Sequence, residues 1–77
     1  MIEQLTPRDK EIVTLLLQGC TNGEIAKELN VSERTIKAHF NKMFQIYYIT
    51  SGIKRVKLAV LFYRKQLEKE HKNEQHT

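Results

Sequence analysis

The stretch NVSERTIKAHFNKMF, residues 30–44, decides the fold of this chain. Its apolar side chains recur every three or four positions, which places them on one side of an α-helix; they are Ile36, Phe40, Met43 and Phe44, followed by Tyr47. The opposite side is polar and basic apart from one alanine, and consists of Arg34, Lys37, Ala38, Asn41, Lys42 and Gln45. The spacing predicts a helix with one side in a protein core and the other side free to bind a partner.

Turn and cap residues around this stretch predict three more helices, and therefore an all-α fold. Thr6, Thr21 and Ser32 stand where helix N-caps are expected, because their hydroxyls can accept a backbone N–H of the first turn. Ser32 follows Leu29 by only three positions, the short connection of a helix-turn-helix. The predicted helices cover about residues 7–18, 22–29, 33–47 and 53–68.

Length and composition indicate one small domain. A chain of 77 residues is near the lower limit for a self-sufficient core, and its single Cys excludes an internal disulfide. No apolar run approaches the roughly 20 residues of a membrane span, and no signal peptide opens the chain. We expect a cytoplasmic protein with no membrane contact, a domain over residues 1–68, and a polar, disordered tail over residues 69–77.

The net charge of +4 is unevenly distributed. Residues 1–49 contain six basic and six acidic side chains, whereas residues 50–77 contain seven basic and three acidic ones. Overall charge is therefore weak evidence for nucleic-acid binding, which depends instead on which side of each helix carries the charges.

The segment LTPRDKEIVTLLLQGCTNGEIAKELNVSERTIKAHFNKMF resembles the DNA-binding domain of LuxR/FixJ/GerE-type bacterial transcription regulators. The pattern of that family runs L-T-x-R-E, a Gly that ends the first helix, E-I-A, and S-x-x-T-V-K-x-H. The matching residues here are Leu5, Thr6, Arg8, Gly19, Glu24, Ile25, Ala26, Ser32, Thr35, Ile36, Lys37 and His39. The match needs no gap and extends over about residues 4–60.

The resemblance implies a four-helix bundle in which the second and third helices form the helix-turn-helix. It also implies that the third helix enters the major groove of a double-stranded DNA operator and that the fourth helix pairs two copies. It places Lys37, Ala38 and Asn41 at the base-reading positions. Lys donates to guanine O6 and N7, Asn can pair with adenine, and a small Ala can contact a thymine methyl. The expected phosphate-binding residues, which fix register without reading sequence, are Thr21, Ser32, Arg34, Thr35, Lys42 and Gln45.

The fourth predicted helix is apolar around most of its circumference. One row has heptad-like spacing and consists of Ile53, Val56, Val60, Tyr63 and Leu67. Because a monomer needs only one apolar side, we expect one sector to pack on the other helices and a second to form a homodimer. We favour Leu58, Leu61 and Phe62 for the dimer interface. A fully buried helix in a monomer, or a surface for a missing domain, is the alternative.

The chain departs from the family pattern where the third helix ends. The family has Lys-Leu-Gly-Val there, whereas this chain has Ile46, Tyr47, Tyr48 and Ile49. Without Gly, the left-handed stop would cost roughly 1–2 kcal/mol if Tyr48 adopts it. Gly52 and Arg55 also stand where the family has an Arg and a small residue. We expect Tyr47 in the core and Tyr48 on the surface.

The remaining motifs indicate a binding protein rather than an enzyme. The chain contains no Gly-rich phosphate loop and no carboxylate pair typical of an active site, so we expect no cofactor, and the His spacing indicates no metal site. We interpret Cys20 as unreactive and His39 as a packing or backbone-bonding residue. The leading interpretation is a sequence-specific transcription regulator. The alternative is a helix-turn-helix module that binds another regulator or RNA polymerase.

Overall fold

Four α-helices joined by short turns make up the part of the chain that the computed structural model describes, residues 5–75, with side-chain burial given for residues 5–70. They are α1 (Pro7–Leu17), α2 (Asn22–Leu29), α3 (Glu33–Ile46) and α4 (Lys54–Gln75), and the described residues contain no strand. The predicted all-α fold is confirmed, and the first three helices agree with their predicted bounds to within one residue.

Side-chain hydroxyls begin the first three helices, as the sequence predicted. The Thr6 hydroxyl accepts the Asp9 N–H at 3.1 Å, and the Thr6 N–H donates to the Asp9 carboxylate at 2.9 Å. Thr21 and Glu24 form the same reciprocal capping box at the start of α2, at 3.1 and 2.8 Å. Ser32 Oγ accepts the Thr35 N–H at 3.1 Å. Each cap satisfies backbone donors that have no partner within the helix.

The first three helices also end alike, with one residue in the left-handed backbone region. These residues are Gly19 (φ 88°), Asn30 (φ 59°) and Tyr48 (φ 56°). In each case the following backbone N–H donates back to a carbonyl five residues earlier, at 2.8 Å for Ile49 to Phe44. Tyr48 thus occupies the left-handed position that Gly occupies in the family pattern, at a conformational cost of about 1–2 kcal/mol.

The core lies where the four helices meet. The predicted inner side of α3 is confirmed, since Ile36 and Met43 have no exposed surface and Phe40 is only 2% exposed. The buried apolar residues are Ile12, Val13, Leu16, Ile25, Ala26, Ile36, Phe40, Met43, Phe44 and Leu58. Tyr47 is half-buried against this cluster, and Tyr48 is on the surface, as expected.

The end of α4 differs from the prediction. We expected the helix to stop at residue 68, but α4 continues to Gln75. No Gly or Pro follows Gly52 in the sequence, and Glu, Lys and Gln, which dominate residues 68–75, are good helix formers in the absence of apolar packing. Residues 76 and 77 lie outside the described part of the chain.

The choice of Leu58, Leu61 and Phe62 as a partner surface is also corrected. Leu58 has no exposed surface, and the Phe62 ring packs edge-on against Tyr47 with the ring centroids 5.4 Å apart. Leu58 and Phe62 face inward because they fill the space beside α1 and α3, whereas Leu61 is half-buried. The exposed apolar sector is the heptad-like row, which consists of Ile53, Val56, Val60, Tyr63 and Leu67.

Candidate nucleic-acid interface

The outward side of α3 presents the three predicted base-reading residues together. Lys37, Ala38 and Asn41 are all exposed, on the side of the helix opposite Ile36, Phe40 and Met43; the exposed residues that flank them are Arg34 and Gln45. The 14 residues of α3 form a rod about 21 Å long. A rod of this kind fits a major groove, which is about 12 Å wide in B-form DNA.

Lys42 and His39 lie at the edge of this side and turn toward α1. The Asp9 carboxylate, which has no exposed surface, forms a hydrogen bond between Oδ1 and His39 Nδ1 at 2.6 Å. Its other oxygen, Oδ2, forms an ion pair with Lys42 Nζ and accepts the Thr6 N–H. The sequence placed Lys42 among the phosphate contacts, whereas in the structure its ammonium fixes α3 to the start of α1.

The protonation state of Asp9 follows from these contacts. Burial raises the pKa of Asp9, but the Lys42 ammonium, the Thr6 backbone N–H, His39 and the Thr6 hydroxyl together outweigh burial and lower that pKa to about 2. The carboxylate is therefore ionised at neutral pH and can only accept hydrogen bonds. His39 Nδ1–H therefore donates a hydrogen bond to Asp9 Oδ1. The sequence predicted packing or a backbone hydrogen bond for His39, and not this bond to a side chain.

The predicted phosphate contacts at the two helix N-termini are engaged in caps. The Ser32 and Thr35 hydroxyls lie 3.0 Å apart, and the Thr21 backbone N–H already donates to the Glu24 carboxylate. The Glu33 carboxylate also lies near the start of α2, since a Cβ added at Gly23 would be 3.1 Å from Glu33 Oε2. A phosphate at the start of α2 would have to compete with two carboxylates, whereas Arg34 and Gln45 stay exposed on α3.

Arg55 of α4 forms hydrogen bonds to the start of the helix-turn-helix, a role that the sequence did not predict. Its guanidinium donates to the Asn22 side-chain oxygen at 3.1 Å and to the Cys20 carbonyl at 2.7 Å. The same guanidinium lies 5.2 Å from the centroid of the Phe40 ring. These contacts join α4 to the turn between α1 and α2. The sequence marked Arg55 only as a departure from the family pattern, since its partners lie more than 30 positions away.

The described residues contain no group of three or more His, Cys, Asp or Glu side chains that could hold a metal ion. Among the described helices, none combines the length and the apolar character that crossing a membrane requires.

The residues that form this interface also identify the family. Residues 3–52 match the bacterial regulatory proteins of the luxR family. The chain belongs to this family. The resemblance inferred from the motifs is thereby confirmed, and the matched residues include the whole helix-turn-helix. The match ends before α4 begins.

Individual luxR-type relatives are response regulators and operon regulators. The chain is 35% identical over 66 residues to the nitrate/nitrite response regulator protein NarL of Escherichia coli K12, which covers 86% of this chain and 29% of NarL. It is 39% identical over 57 residues to the response regulatory protein YgeK of the same strain, covering 74% of this chain and 39% of YgeK. It is also 46% identical over 41 residues to the CsgBAC operon transcriptional regulatory protein of that strain, covering 53% of this chain and 19% of the relative. The chain therefore spans less than half the length of each of these relatives.

Proposed function

We propose that this luxR-family chain binds double-stranded DNA in a sequence-specific manner, as a domain of a cytoplasmic transcription regulator. The observation that carries this proposal is the exposed row of Lys37, Ala38 and Asn41 on a helix whose other side is buried. Helix α3 enters the major groove, where Lys37 donates to guanine and Asn41 pairs with adenine. Arg34 and Gln45 bind the flanking phosphates and hold the register.

The Asp9 carboxylate supports this reading by orienting the recognition helix. It engages His39 and Lys42, which lie one turn apart on the inner edge of α3, and it is itself fixed to the cap of α1. Two points of attachment resist rotation of α3 about its own axis. Lys42 then serves first to position the helix, and its charge adds to the attraction of DNA.

A second copy of the chain covers the exposed apolar sector of α4. Val56, Val60, Tyr63 and Leu67 are between 43 and 55% exposed, and they recur at spacings of three and four residues. A groove of about 500 Å³ lies beside them, lined by Leu16, Leu17 and Ala59 as well as Val60 and Tyr63. A two-fold axis along this sector would set two copies of α3 about one turn of DNA apart.

The alternative is that the chain binds a protein, such as another regulator or RNA polymerase. The equal numbers of acidic and basic residues in positions 1–49, and the two carboxylates at the start of α2, favour this alternative. An apolar protein contact and DNA binding respond differently to salt, because only DNA binding releases condensed counterions.

The experiment is selection of random duplexes with the purified chain, followed by a salt titration of the selected site. We expect a two-fold symmetric motif and an affinity that falls steeply as salt rises, with a log–log slope of roughly −0.9 for each phosphate neutralised. Failure to enrich any motif, together with salt-independent capture of RNA polymerase, would establish the alternative instead.

A further inference from the structure

Tyr48 is an aromatic residue that the fold itself does not explain. Its side chain is 88% exposed, the highest value among the large apolar side chains that the structure describes. Its φ of 56° places a bulky residue in the left-handed region, where such residues are rare. Tyr48 therefore carries conformational strain and contributes little buried area to offset it, although Gly would make the same turn without strain.

The surroundings of Tyr48 continue the polar side of α3. A depression of about 500 Å³ is lined by Asn41 and Gln45 of α3, by Tyr48 and Thr50 of the turn, and by Lys54 of α4. Gln45 lies one helical turn beyond Asn41, and Tyr48 follows the last residue of α3 by two positions. The depression therefore begins at a proposed base-reading residue and extends past the end of the helix.

The charge of this depression suits a polyanion. Lys54 is exposed, and its ammonium lies 5.9 Å from the centroid of the Phe44 ring, at the rim of the depression. None of the described residues that line the depression is acidic, and the first turn of α4 contains no acidic residue. The backbone N–H groups that begin α4 add positive potential beside Lys54.

We propose that Tyr48, Thr50 and Lys54 bind the sugar–phosphate backbone of DNA next to the base pairs that α3 reads. This inference rests on the proposed function. When a helix lies in the major groove with Lys37 and Asn41 toward the bases, its end approaches the backbone that borders the groove. The Tyr48 and Thr50 hydroxyls donate hydrogen bonds to phosphate oxygens, and the Lys54 ammonium neutralises one phosphate.

Two side-chain changes test this inference. Tyr48→Phe keeps the ring and the backbone conformation but removes the hydroxyl. Lys54→Gln removes one charge, and Lys69→Gln removes the same charge about 22 Å farther along α4. The affinity of each variant for the selected operator is measured over a range of salt concentrations, after circular dichroism confirms the helical content.

We expect Lys54→Gln to reduce the magnitude of the salt slope by about 0.9 for each bound copy, the value for one phosphate, and Lys69→Gln to leave the slope unchanged. Tyr48→Phe should weaken binding by about threefold to tenfold, and by the same factor for every operator sequence, since backbone contacts carry no base preference. Shortening the duplex at its flanks should remove the difference between Tyr48→Phe and wild type.

Three results would overturn the inference. If the wild-type chain binds its operator but Tyr48→Phe and Lys54→Gln bind as wild type does, the depression does not contact DNA, while the proposed function stands. If Tyr48→Phe changes the preferred bases, Tyr48 contacts a base edge and not the backbone. If the wild-type chain enriches no DNA sequence, the proposed function fails and this inference fails with it.

Discussion

His39 Nδ1 and Asp9 Oδ1 lie 2.6 Å apart, although 30 positions separate the two residues in the sequence. The bond joins α3 to the first turn of α1, and Lys42 binds the second oxygen of the same carboxylate. A buried carboxylate that is ionised and fully hydrogen-bonded is a rigid attachment point. The orientation of α3, on which the proposed reading of DNA depends, is therefore set by a residue outside the proposed interface.

The first prediction concerns Asp9→Asn. The substitution keeps the side chain's shape and its ability to accept from Thr6, but it leaves Lys42 without its anionic partner. We expect the free energy of unfolding to fall by about 1–3 kcal/mol, measured by urea denaturation. Glu11→Gln is the control, because Glu11 pairs with Arg8 only on the surface, with side chains 57 and 42% exposed. Glu11→Gln should lower the free energy of unfolding by less than about 1 kcal/mol. Equal effects of the two substitutions would contradict the special role of Asp9.

The second prediction concerns acid stability. The pKa of Asp9 is lowered from its ordinary 3.8 to about 2 in the folded state. The stability that this shift contributes is fully present above the unfolded pKa and is lost as pH falls from 3.8 toward 2. Over that pH window, the free energy of unfolding of wild type should therefore fall by up to about 2 kcal/mol more than that of Asp9→Asn. The other carboxyl groups titrate in both proteins, so their effect cancels in the comparison. Parallel stability–pH curves for the two proteins would show that Asp9 does not titrate as described.

The third prediction concerns the strained turn after α3. Tyr48→Gly should raise the free energy of unfolding by about 1 kcal/mol, because Gly adopts a φ of 56° without strain. Gly19→Ala is the opposite test, since φ is 88° and an added Cβ would meet no atom within 4 Å, so its cost is purely conformational. It should lower stability by about 1–2 kcal/mol. A destabilised Tyr48→Gly would mean that the exposed ring makes a stabilising contact.

The sequence predicted the local structure of α1 to α3 because their signals are local. Hydroxyl caps, the left-handed residues Gly19 and Asn30, and the apolar side of α3 all depend on neighbours within a few positions. The exposure of Lys37, Ala38 and Asn41 was predictable for the same reason, since one side of α3 must be buried.

The remainder depends on contacts between distant segments. The role of Asp9 requires α1 and α3 to be brought together, and the role of Arg55 requires α4 to reach the start of α2. No pattern in the chain indicates which carboxylate meets which cation. The inward sector of α4 was misassigned because apolar residues surround that helix, so its periodicity alone favoured neither Leu58 nor Val60. The C-terminal end of α4 was placed too early because the apolar periodicity stops at Leu67, whereas residues of high helix propensity continue beyond it.

The fourth prediction concerns the exposed sector of α4. Val60→Asp with Tyr63→Ser should leave the fold intact, because both side chains are exposed, at 43 and 55%. We expect it to abolish cooperative binding to a full operator and self-association in sedimentation experiments, while affinity for a single half-site stays unchanged. Lys69→Gln on the same helix is the control. Cooperative binding that survives the double substitution would exclude this sector as the dimer interface.

The central claim is that the outward side of α3 reads bases, and the most direct measurement is parallel selection of random duplexes with wild type, Lys37→Ala and Arg34→Ala. Each base contact should be worth about 1–3 kcal/mol of discrimination. Lys37→Ala should therefore lose preference at one position of each half-site while the rest of the motif is kept. Arg34→Ala should weaken binding to all sequences alike and keep the motif. If Lys37→Ala selects the same motif with the same preference at every position as wild type, α3 does not read the operator through Lys37, which contradicts the proposed base-reading role of this helix.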